Sequence, residues 1–229
     1  MPGRAVPVRE LVGERTVSSA TWEMSDGSRA VQVSAGPMHV WEGEGWVPVD
    51  LSVSGQPDGS FAPVRGVVGV GLPTDIGGAV TVADGEGRSV SMRLAATDRS
   101  TEVVAARGEV ASADGTSSRA AGNGRDGGAV VYRGVEPGVD VVYAPVVSGV
   151  KEQIVLADID TPREFVFDIE APGLELVVDE RGGRLVDVDG RVAFEVAPPF
   201  MADAAGAVST GVALSTDDEG RLVQTITDE

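Results

Sequence analysis

VVYRGVEPGVDVVYAPVVSGVKEQIVL, residues Val130–Leu156, decides the fold. Valine dominates the run, and its branched Cβ is stiff at χ1 and suits a pleated sheet. With a turn at Ser148-Gly149, Val141, Tyr143, Val147, Val150, Ile154 and Leu156 share one face, while Asp140, Lys151 and Gln153 fall on the other. A period of two over this length reads as antiparallel strands.

The same alternation continues outward. Downstream come Phe165/Phe167/Ile169 and Leu174/Leu176/Val178, then a turn at Asp189-Gly190 joining Arg184–Val188 to Arg191–Val196. A last pair, Val212–Leu214 and Leu222–Ile226, brackets Asp217-Asp218-Glu219-Gly220. Upstream, Val31 and Val33 alternate with Ala30 and Gln32. MHVWEGEGWVPVD reads as a hairpin with arms Met38–Trp41 and Trp46–Val49, so that Trp41 faces Trp46. Further strands are predicted near Val64–Val70, Ala79–Ala83, Ser89–Leu94 and Glu102–Ala106. Roughly a dozen to sixteen strands joined by short turns predict an all-β protein, a large antiparallel β-sandwich. Residues 112–128 are small and polar and read as a mobile loop between a first β half, 1–111, and a second, 129–229. The two halves can equally form one continuous unit.

Composition narrows the function. Lys plus Arg total 18 against 36 Asp plus Glu, a formal charge of −18, which repels phosphate backbones and argues against nucleic acid as a partner. Lys151 is the only lysine; with the Ala, Gly and Val bias this points to a high-GC bacterial genome. Absence of cysteine removes disulfides, thiolate metal sites and cysteine nucleophiles. The first residues, MPGRAVPVRELVGERT, lack the apolar centre of a signal peptide, and no run approaches the roughly 18 apolar residues of a membrane span.

The search for chemistry yields little. His39 is the only histidine and sits in a hairpin arm, where it reads as a satisfied or outward sheet residue. A triad would need it, yet the chain has no G-x-S-x-G elbow. Gly122–Gly127 matches G-x-G-x-x-G, but a polar loop precedes it and a strand is predicted after it, the reverse of a dinucleotide site. Asp187-Val188-Asp189-Gly190 imitates part of a calcium loop, but Leu185 and Val196 stand where further acids are required, so it reads as a turn. No catalytic, cofactor-binding or metal-ligating residue is assigned. Glu152 falls on the apolar face with Ile154 and Leu156 and must find a partner or take up a proton; Arg133 is the expected partner, a structural polar pair.

Four pieces together resemble a known family. They are ELVGERTVSSAT (Glu10–Thr21), the hairpin of Pro37–Asp50, YRGVEPGVDVVY (Tyr132–Tyr143) and GVKEQIVL (Gly149–Leu156). In order and spacing they are similar to the amino-terminal β-rich region of secreted bacterial YD-repeat (Rhs-like, wall-associated-type) proteins. The resemblance implies a secreted or cell-surface setting and a non-enzymatic structural or presentation module, whose partners are downstream domains of the same polypeptide such as a YD-repeat or carbohydrate-module-like region. It supplies no catalytic residues and no cofactor. The family pattern continues into a strand ending P-V-x-I-D-P, which does not occur before Glu229. On that reading Leu222–Ile226 is left as an open edge, and the chain is a monomer or weak dimer held apart by its charge.

Two other classes stand beside this one. A carbohydrate-binding module, with a carbohydrate or cell-wall ligand, would use Trp41 and Trp46 as a stacking platform. The same two rings could equally pack the core, and their solvent exposure discriminates. A sugar-active β-sandwich enzyme would need convergent acids or His39 in a cleft.

Overall fold

The computed structural model describes residues 4–95, the backbone of 108–111, and residues 128–227. The expected mobile loop over 112–128, the G-x-G-x-x-G match within it and the strand at Glu102–Ala106 lie, but for Gly128, outside the described residues.

Along the chain, β1 (Pro7–Glu10), a 3-10 turn η1 (Val12–Glu14), β2 (Ser19–Met24) and β3 (Arg29–Val33) open the molecule. β1-β2-β3 form a small antiparallel sheet. β4 (His39–Glu42) and β5 (Gly45–Pro48) make one hairpin, and β6 (Asp50–Gly55) and β7 (Phe61–Arg65) the next. Then follow β8 (Gly69–Gly71), β9 (Val80–Ala83), β10 (Ser89–Ala95) and β11 (Gly108–Ala111). The valine-rich segment Val130–Leu156 falls in β12 (Ala129–Glu136), β13 (Val139–Val146) and β14 (Gly149–Leu156). After β15 (Glu164–Glu170) comes a three-stranded sheet of β16 (Glu175–Asp179), β17 (Gly182–Val186) and β18 (Val192–Val196). β19 (Met201–Ala202) and β20 (Val208–Ser209) form a short pair, and β21 (Val212–Thr216) and β22 (Leu222–Ile226) close the chain.

The protein is all-β, with every strand pairing antiparallel among the described residues. Two sheets dominate. One runs β11-β12-β13-β14, the other β21-β22-β15-β10-β9-β8. One apolar cluster draws on both: Val130, Tyr132, Val141 and Tyr143 from the first, and Val70, Val80, Leu94, Phe165, Phe167 and Leu222 from the second, with Leu72 and Ile76 from the connection after β8. Removing these large side chains from water is the main favourable term in folding, at about 25 cal/mol per Å² of apolar surface.

The six-stranded sheet takes β8, β9 and β10 from before residues 112–128 and β15, β21 and β22 from after them. The joint is the β10–β15 ladder, with Leu94 opposite Phe167 and Arg93 opposite Asp168.

Three sequence expectations need correction. Leu222–Ile226 is not an open edge. β22 pairs with β21 on one side and β15 on the other, because Phe165 and Phe167 draw Leu222 into the core. The predicted strand Val64–Val70 is two strands, β7 and β8, in different sheets, separated at Gly66–Val68. Such splitting, together with short pairs such as β19–β20, raises the count to 22 strands among the described residues. The turn in the deciding segment falls at Val147-Ser148, with Val146 opposite Gly149, one residue earlier than expected.

One turn recurs. At Asp187–Arg191 the Asp187 amide donates to the Arg191 carbonyl, the Gly190 amide donates to the Asp187 carbonyl, and Gly190 has φ +78°. The Asp187 carboxylate accepts from the amides of Asp189 and Arg191, both at 2.9 Å. Asp217–Arg221 and Asp203–Ala207 repeat the pattern. A five-residue turn of this kind, with glycine in the left-handed region, suits the twist of the flanking strands. The calcium-like spacing at Asp187 is thus spent on the backbone, and those amides hold its carboxyl below the usual range.

Candidate functional site

Two places concentrate polar and aromatic chemistry. The first is the β4–β5 hairpin. A two-residue turn, Gly43-Glu44, sets Trp41 opposite Trp46 and His39 opposite Pro48. Residues two apart on a strand share a face, so these four side chains lie together, while Val40, Glu42 and Val47 lie on the other side. The base of the hairpin is anchored. His39 is buried, and its Nδ1 lies 2.8 Å from the Thr16 carbonyl oxygen. The amides of Met38 and His39 both donate to the Val17 carbonyl. Arg15 donates through Nη1 to the Trp46 carbonyl at 3.0 Å and grips Glu10 with two further bonds of 2.8 and 2.9 Å. That grip lowers the Glu10 carboxyl below its ordinary value. On the other side Arg65 donates to Glu42 at 2.9 Å and to the Pro48 carbonyl at 3.1 Å.

The two tryptophans do not behave alike. Their rings meet edge to face, with centroids 5.4 Å apart and planes at 83°. Trp41 is 59% exposed, whereas Trp46 is half-buried beneath it. Only one ring of the expected two-ring platform is therefore open to solvent.

The second place is the β13–β14 ladder, where Tyr143 stands directly opposite Glu152. Tyr143 is fully buried and packs edge to face on Tyr132 at 5.8 Å, and the Tyr132 hydroxyl donates to the Pro73 carbonyl at 2.7 Å. The Tyr143 hydroxyl donates to the Glu152 carboxylate. Glu152 is partly accessible as a residue, but its carboxyl end is enclosed. Burial pushes that carboxyl up to about 7, against the opposing pull of the Tyr143 hydrogen bond. Burial, followed by the nearby Glu152 charge, pushes the Tyr143 hydroxyl well above its ordinary value.

Arg133 does not partner Glu152. The β12–β13 register shifts between Tyr132 and Glu136, and Arg133 turns out to solvent. There its Nη1 reaches Asp140 at 3.3 Å, beside the Gly134 amide, which donates to the same carboxylate at 2.8 Å. Sequence reasoning found Glu152 but missed Tyr143 as its partner. A turn at Ser148-Gly149 would have put Ile154 opposite Tyr143; the one-residue shift brings Glu152 there and takes Val147 out of the ladder into the turn, while Val141, Tyr143, Val150, Ile154 and Leu156 keep their common face.

Elsewhere a shallow depression lies over β10 and β15, lined by Gly78, Ser91, Arg93, Asp168 and Glu170. Its Arg93 and Asp168 are already paired at 2.8 Å. Among the described residues no group of three or more His, Asp or Glu side chains is placed to hold a metal ion. Among the described residues no helix is long and apolar enough to cross a membrane. No family model, curated protein or solved structure matches the chain. The resemblance to YD-repeat proteins therefore rests on its four motifs alone.

Proposed function

We propose that this chain is a non-enzymatic β module of a large exported bacterial polypeptide, one that holds and presents the region beside it. One observation carries the reading: the buried and half-buried polar groups Arg15, His39, Tyr132 and Tyr143 of the family-like segments are all spent on internal bonds. Arg15 ties Glu10 to the Trp46 carbonyl, His39 meets the Thr16 carbonyl, Tyr132 donates to Pro73, and Tyr143 donates to Glu152. Residues kept for catalysis face a cleft and a substrate; these face the protein's own backbone and core. The β10–β15 ladder, which ties distant parts of the chain into one sheet, supports a stiff spacer or cap.

The test is deletion of residues 4–227 from the full-length gene product. The expected result is faster proteolysis of the adjoining region, or its loss from the culture medium. Unchanged secretion and protease resistance would refute the presentation role. Hydrolysis of a cell-wall polysaccharide by the purified chain, abolished in a folded Glu152→Gln variant, would refute the non-enzymatic reading.

A further inference from the structure

We infer that Trp41 is a stacking site for the ring of an uncharged sugar, in a neutral polysaccharide. A tryptophan that is 59% exposed keeps a large apolar surface in water, and this one is packed against a second ring. Trp46 packs against it in a T-shaped pair at 5.4 Å, and the hairpin is pinned by His39, Arg15 and Arg65. A ring fixed before binding loses little freedom on binding, which is what makes a preorganised surface effective.

The face that carries Trp41 selects the ligand. Its companions on the hairpin are Trp46, Pro48 and His39, the last buried on the Thr16 carbonyl, with no carboxylate among them, and the nearby Arg15 and Glu10 are paired with each other. Glu42 points to the opposite side, where Arg65 already holds it. An ammonium ligand would want a second open aromatic face or a free acid on this side, but Trp46 is half-buried and its ring stands at 83° to Trp41. An anionic polymer meets a chain with a formal charge of −18. A stable protein partner needs about 1,200 Å² or more of total buried surface, far beyond one indole. The apolar C–H face of a neutral pyranose fits a lone, flat, uncharged ring, and repetition along a polysaccharide compensates for a weak single contact. The inference borrows only its extracellular setting from the module reading, and the deletion experiment above is indifferent to its outcome.

Affinity electrophoresis in native gels tests it. Hydroxyethylcellulose, glucomannan, glycol chitin and dextran serve as neutral polymers, and polygalacturonate as the anionic control. The expected result is retardation by at least one neutral polymer and none by polygalacturonate. Trp41→Ala should abolish the retardation with its circular dichroism unchanged, and Trp41→Tyr should restore part of it. No retardation by any neutral polymer, equal retardation of Trp41→Ala, or equal retardation by polygalacturonate would each overturn the inference. Concentration-dependent sedimentation that vanishes in Trp41→Ala would assign the ring to a second copy of the chain and overturn it too.

Discussion

Tyr143 on β13 and Glu152 on β14 are direct cross-strand partners, and the buried phenol is the hydrogen-bond donor that the enclosed carboxylate needs. The pair sits where β14 borders the shared core, so its protonation is coupled to the stability of the fold.

That coupling gives a pH dependence with a definite sign. Burial raises the folded carboxyl from 4.5 to about 7, so the folded chain keeps a proton that the unfolded chain has released. The stabilisation is fully present below the unfolded value and is lost as pH rises through about 7. The loss should reach about 2–3 kcal/mol by pH 8. Wild type should lose melting temperature between pH 5 and pH 8, and Glu152→Gln, which cannot ionise, should lose less. Asp187 and Asp217, whose carboxyls are lowered from 3.8, act in the opposite direction and only in stronger acid. Parallel melting curves for the two proteins across this range would contradict a raised carboxyl at position 152.

Removing the donor alone should be worse than removing both partners. Tyr143→Phe leaves the carboxylate enclosed without its hydroxyl and should cost about 1–3 kcal/mol at pH 8. Glu152→Leu on that background should recover part of the loss, because two apolar groups need no hydrogen bond. Urea denaturation of the two single variants and the double variant gives the coupling energy directly. Strict additivity would mean that the two side chains do not act as a pair.

Glycines in left-handed turns should separate by what surrounds them. A Cβ on Gly190 would meet nothing within 4 Å, so Gly190→Ala carries only the strain of φ +78°, about 1 kcal/mol. On Gly182, at φ +111°, a Cβ would lie 2.2 Å from the Val196 carbonyl oxygen, within the β17–β18 ladder. Gly182→Ala should therefore cost several kcal/mol or prevent the β16–β18 sheet from forming. Equal melting temperatures for the two variants would show that the close approach at Gly182 relaxes freely.

Arg15 should not tolerate lysine. Its guanidinium makes two bonds to Glu10 and a third to the Trp46 carbonyl, a fork that an ammonium cannot reproduce. With the Arg15 and Glu10 side chains only 12% and 19% exposed, loss of the fork should cost about 1–3 kcal/mol. Arg15→Lys should also loosen the hairpin, shifting tryptophan emission to the red and increasing quenching by acrylamide. Unchanged emission would mean that His39 and Arg65 hold the hairpin without it.

The sequence by itself determined the fold class and most strand positions. Alternation is a local property: once Val130–Leu156 repeats with period two, β structure and the buried face both follow, and a one-residue error in the turn leaves the strand faces intact. Turn chemistry is local as well, which is why the turns at Asp187 and Asp217 were legible. Partners are not local. That Glu152 meets Tyr143 and not Arg133 depends on the exact register of β13 on β14 and on a register shift in β12. That β22 is an interior strand depends on β15, some 60 residues earlier in the chain, offering Phe165 and Phe167 to the same core. The unequal exposure of Trp41 and Trp46 depends on how His39, Arg15 and Arg65 seat their hairpin against other strands. Local patterning sets which way a side chain faces; what it faces is decided by long-range packing, where burial of the largest apolar surface selects among registers that the sequence pattern alone leaves equivalent.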